Sequence, residues 1–132
     1  MNMKPGILDL ASTFLVVEPD LRAIPVEVNA DIYERLDRDF DHFQDRLLVS
    51  CHSFDSDWPT WEIHPAGDET VILLSGQADM VLDRIGTQEV LPLSDTGTCI
   101  IVPRGTWHTA RISQPTRMLF ITPGAGTENQ VR

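Results

Sequence analysis

Four side chains in this sequence have the types and spacing for metal chemistry. Glu62 and His64 stand two residues apart in a run that reads as a β-strand, and the period of a strand puts both on one face. The turn Pro65-Ala66-Gly67-Asp68 reverses the chain and delivers Glu69 to the start of the next apolar run, residues 70–74. A second imidazole, His108, can return from far along the chain behind Pro103-Arg104-Gly105-Thr106-Trp107. Imidazole and carboxylate converging on one point are the composition of a divalent transition-metal site.

The segments that must position these groups are mostly short and β-rich. Residues 14–17 form a brief apolar run, and Pro25 marks residues 24–28 as an edge strand. Weak helical character surrounds residues 7–12. The one firm helix spans residues 30–39, with Asn29 as its N-cap and Ile32, Leu36 and Phe40 on one stripe. From residue 46 the period changes. Strands are expected at 46–54, 60–64, 70–74, 78–82, 88–91, 98–102, 107–112 and 117–122, separated by Gly, Pro, Asp and Ser. Residues 124–132 lose their apolar character and read as a flexible tail. Many short strands with regular turns predict an all-β sandwich or barrel.

The chain has 132 residues, which suits one domain with a real core. Its net charge of −10 and pI near 4.6 repel phosphate backbones and anionic lipid, so nucleic acid and membrane surfaces are not expected partners. Cys51 and Cys99 lack any pairing pattern and read as free, buried thiols. No secretory leader and no membrane-length apolar run is visible, so the expected setting is soluble, reducing and cytoplasmic.

The spacing of these groups resembles the two motifs of the cupin superfamily. His64, four residues, Glu69, six residues and Gly76 match the first motif. Gly97, five residues, Pro103, one residue, Gly105, two residues and His108 match the second. Two positions depart: Glu62 replaces the first histidine of the first motif, and Ile112 replaces the terminal asparagine of the second. The resemblance implies a jelly-roll barrel, the double-stranded β-helix of cupins, over residues 46–123. An N-terminal extension with one short helix, residues 1–45, would pack on it.

The resemblance also implies that His64, Glu69 and His108 are metal ligands. Glu62 is then a fourth ligand, a catalytic base beside the metal, or the mark of a retired site. The ion would be Fe, Mn or Zn, with Ni admitted as well. Trp58, Leu73, Met80, Met118 and Phe120 are the expected walls of a small substrate cavity. Among the remaining polar groups, His42 reads as exposed and His52 as structural or pocket-lining, with structure favoured. Trp61 and Ile63 face away from the metal by alternation, and Arg104 reads as solvated or as a greeter of anionic substrate at the rim. The implied function is a metal-dependent enzyme of dioxygenase, isomerase or lyase type on a small oxygenated or carboxylated substrate. The alternatives are a non-catalytic module for a small ligand, or a sugar-binding or sugar-isomerising cupin. A homodimer is expected, with the strands at 14–17 and 25–28 as candidates for exchange.

Overall fold

The structure is a computed structural model that describes residues 6–132. The first five residues of the expected N-terminal extension therefore lie outside the described part. Its elements run β1 (Thr13–Val17), β2 (Ala23–Glu27), α1 (Ile32–Asp39), β3 (Leu47–Phe54), β4 (Thr60–Ile63), β5 (Glu69–Ser75) and β6 (Ala78–Arg84). They continue as β7 (Thr87–Leu93), β8 (Cys99–Val102), β9 (His108–Arg111), β10 (Thr116–Thr122) and β11 (Glu128–Val131). Two antiparallel sheets face each other, one of six strands in the order β2-β1-β3-β10-β5-β8, the other of five in the order β11-β4-β9-β6-β7. No described helix is long and apolar enough to cross a membrane.

Alternation builds the core. In β5, Glu69, Val71 and Leu73 are buried, and in β10 so are Thr116, Met118, Phe120 and Thr122. The register sets Phe120 opposite Val71 and Met118 opposite Leu73, so the two strands present one continuous inward face. Met80, Leu82 and Ala110 from the other sheet close on it. Leu73, Met80 and Met118 are each fully buried there. A second cluster joins the N-terminal extension to the sheet: Phe14, Val16, Val26, Ile32, Leu36, Phe43 and Leu48.

Several local expectations are corrected. The helix starts after Asp31, not Asn29, and Asn29 Oδ1 instead accepts a hydrogen bond from Arg35 Nη1 at 2.6 Å. Residues 10–12 form a turn rather than a helix, with the Asp9 carbonyl accepting from the Ser12 and Thr13 amides. Cys99 is exposed, although Cys51 is buried and both are free. The supposed tail is structured as β11, which pairs with β4 from Glu128 opposite Ile63 to Val131 opposite Thr60. Too polar to announce itself by apolar alternation, it is held by backbone pairing and by Arg132, whose guanidinium donates to the Trp58 carbonyl at 3.0 Å.

After α1 the chain makes a short 3-10 turn, Asp41–Phe43, with φ of 53°, 53° and 60°. Left-handed backbone costs an L-residue about 1–2 kcal/mol. Burial of Phe43 in the second cluster offsets part of the cost of these three residues.

Candidate metal centre

The four expected side chains meet at one end of the space between the sheets. Glu62 in β4 and His108 at the start of β9 are direct cross-strand partners. That register places their side chains on one face. His64 follows β4 by one residue, and Glu69 opens β5 in the other sheet. The two turns that carry them are tied together. The Gly105 amide donates to the His64 carbonyl at 3.1 Å, the Arg104 amide to Asp68 Oδ1 at 2.8 Å and the Arg104 guanidinium to the Ala66 carbonyl at 2.8 Å. Arg104 is thus a brace between turns.

Glu69 Oε1 lies 3.1 Å from His108 Nε2, and Glu69 Oε2 lies 3.2 Å from His64 Nε2. Donors in adjacent positions around one ion at roughly 2.1 Å are about 3 Å apart, so these separations fit a shared ion as well as direct imidazole–carboxylate pairs. His64 Nε2, His108 Nε2 and Glu69 Oε1 are buried without an aligned hydrogen-bond partner. Buried polar atoms are rarely left so. Donor atoms of Glu62, His64 and His108 also lie within 4.8 Å of one another, a group able to hold a metal ion. Glu62 is the outermost member: its Oε2 is 3.8 Å from His64 Nε2 and its side chain is 32% exposed.

The far side of each imidazole is committed. His108 Nδ1 donates to the Thr106 carbonyl at 3.1 Å. The Thr127 hydroxyl donates to the Gly124 carbonyl at 2.9 Å, so its lone pair receives His64 Nδ1–H at 2.8 Å. With the Nδ1 protons so committed, both rings would present an Nε2 lone pair to an ion held beside Glu69. Thr122 in β10 donates to Glu69 Oε2 at 2.6 Å and fixes that carboxylate.

The charges respond to this crowding. Burial pushes the Glu69 carboxyl up, but the bonds and charges of His108 and His64 outweigh it and hold it down at about 2. Burial pulls His108 down, yet the Glu69 carboxylate dominates and raises it. Glu62 is raised, first by desolvation and then by repulsion from Glu69.

A cavity of about 680 Å³ adjoins the site. Trp58 and Phe120 are among the residues that line it. Leu73, Met80 and Met118 do not: their strand parity is inward, but the barrel interior at their level is filled by their own packing. The cavity instead opens between the barrel end and α1, with Tyr33, Phe43, His52, Phe54 and Asn129 on its walls. Thr60, Glu62 and His64 line it while Trp61 and Ile63 do not, as alternation requires. His52 is packed edge-on against Phe14 and Phe120 and also lines the cavity, where desolvation lowers its pKa against the pull of Glu69. His42 is exposed. Sequence reading missed Thr122, Thr127 and Tyr33. The only signal for Tyr33 was its place beside the Ile32–Leu36 stripe, and the threonines gave none.

No protein-family model matches the chain, and no curated protein matches it. Solved structures do. A cupin-2 domain protein from Shewanella frigidimarina aligns at 17% identity and a TM-score of 0.50, over 58% of this chain and 70% of that one. The fold is that of the cupins. Oxalate oxidase in complex with the substrate analogue glycolate aligns at 16% identity and TM-score 0.52, over 62% of this chain and 45% of that one. The Bacillus subtilis oxalate decarboxylase, a cupin with Mn(II) centres, aligns at 16% identity and TM-score 0.53, over 72% of this chain. This chain spans 26% of the length of that enzyme.

Proposed function

We propose that this chain is a divalent-metal cupin enzyme acting on a small oxygen-bearing substrate. The observation that carries the reading is the convergence of the buried His64 Nε2 and His108 Nε2 on the Glu69 carboxylate, one at 3.2 Å from Oε2 and the other at 3.1 Å from Oε1, with both ring nitrogens and Oε1 lacking an aligned hydrogen bond. Those three residues would hold the ion. A donor set of imidazole and carboxylate suits Mn, Fe or Zn. Such an ion supplies Lewis acidity toward a substrate oxygen.

Glu62 has a different part. It stands farther from His64 than Glu69 does, it faces the cavity, and its raised pKa suits a group that takes and returns a proton. Trp58 and Phe120 exclude water from one side of the site. The second-motif histidine and the substituted first-motif position therefore divide the work: one binds metal, the other moves protons.

Elemental analysis of untagged protein after reconstitution with Mn²⁺, Fe²⁺ or Zn²⁺ tests this. Near-stoichiometric ion is expected in the wild type and in Glu62→Gln, and little or none in His108→Ala. Full occupancy in His108→Ala, or none in the wild type with every ion, overturns the reading. Loss of the ion in Glu62→Gln would make Glu62 a ligand.

A further inference from the structure

We propose that the cavity selects a cationic small molecule with an aromatic or apolar body, and discriminates against an anion of the same shape. The inference rests on the metal-site reading only for where the reacting end of that molecule lies. Two independent features carry it, the charge of the walls and their aromatic content.

The charge is one-sided. Asp37, Asp55 and Asp57 line the cavity together with Glu62 and Glu69. Among the described residues no lysine or arginine lines it. Its histidines do not redress the balance. His64 is directed at Glu69, His52 is kept neutral by desolvation, and His42 is paired with Asp37 at 3.1 Å. A divalent ion at the centre would be balanced by Glu62 and Glu69. Asp55 would still stand uncompensated on the wall, Asp57 would keep its charge while one oxygen accepts the Ile112 amide at 2.7 Å, and Asp37 would be offset only where His42 is charged. A dianion such as oxalate, the substrate named by the decarboxylase and oxidase that share the fold, would enter against this field.

The walls also suit a cation with an apolar body. Phe54, Trp58 and Phe120 pack into one cluster with ring centroids 5.5–6.1 Å apart, and Tyr33 and Phe43 also line the cavity. Aromatic faces attract cations, and more so where carboxylates stand beside them. The volume of about 680 Å³ is that of a site for a molecule well beyond a two-carbon acid. Buried, unpartnered atoms on His64 and Glu69 mark its inner end as a place built for a ligand.

Phenethylammonium and 3-phenylpropanoate test the idea, since they share an aromatic body and a two-carbon arm and differ in charge. Each is titrated into Zn²⁺-reconstituted protein at low salt and pH 8, followed by NMR on the Trp58 indole N–H. Metal content is measured on the same samples, so failure of the metal reading shows separately as missing zinc. The cation should bind roughly tenfold tighter than the anion. In Asp37→Asn/Asp55→Asn, two exposed positions, that ratio should fall below about threefold. Equal affinities, a preference for the anion, a ratio untouched by the double substitution, or binding that leaves the Trp58 resonance unmoved would each overturn the proposal.

Discussion

An imidazole ligates only through a nitrogen that carries no proton, and a single hydrogen bond on the opposite nitrogen settles which one that is. Here a carbonyl and a hydroxyl do so for His108 and His64. Thr127→Val keeps the shape of that side chain and removes the acceptor. His64 can then place its proton on Nε2, and metal affinity should fall by roughly 10–100-fold. Thr127→Ser should restore most of it. Competition with a chelator of known affinity measures both. The metal-free variant should lose no more than about 1 kcal/mol of stability, because Thr127 is exposed. A large loss of stability with unchanged metal affinity would make Thr127 a structural residue and nothing more.

Among the elements, the turns decide whether the strands deliver their ligands. Gly76 and Gly97 both adopt left-handed backbone, with φ of +80° and +87°. They differ in their surroundings. A Cβ on Gly76 would meet the Pro115 carbonyl oxygen at 2.4 Å, whereas nothing lies within 4 Å of one on Gly97. Gly97→Ala should therefore cost about 1 kcal/mol. Gly76→Ala must also displace backbone and should cost roughly 3 kcal/mol or more. Urea midpoints of the two variants read the difference.

The two glycines also show what was legible beforehand. Spacing located the turns, and with them His64, Glu69 and His108, because glycine and proline mark backbone geometry one residue at a time. The steric difference between Gly76 and Gly97 was invisible, since Pro115 arrives from the distant loop before β10. The same reason hid Thr122 and Thr127, whose partners lie 53 and 63 residues away. Leu73, Met80 and Met118 were rightly placed inward by alternation, but period alone does not say whether an interior is filled or hollow.

For the whole molecule, the proposed ligands bridge the two sheets, with Glu69 in one and His108 in the other. In the metal-free chain the Glu69 pair with His108 and His64 thus makes stability depend on pH. Glu69 is depressed to about 2, so its contribution is complete above the ordinary carboxylate range and is lost as pH falls toward 2. His108 is raised, so its contribution is complete below the ordinary imidazole range and is lost as pH climbs past its own raised value. Metal-free protein should melt highest between about pH 4.5 and 6.5. Its Tm should drop by roughly 5–10 °C on the way to pH 2. Thermal scans across pH after chelator treatment check this; a Tm that rises steadily to pH 9 would contradict it.

The same bridging arrangement has a consequence for rates. The sheets of a sandwich unfold by parting, and the buried donors sit where they would part. An ion held there is a crosslink between the sheets, closing loops that the chain otherwise closes only through packing. The loaded protein would then open no faster than it sheds a coordinate bond. Its lifetime against heat would then follow metal release, and the amide hydrogens of β5 and β9, which carry the proposed ligands, would exchange more slowly than those of the edge strands.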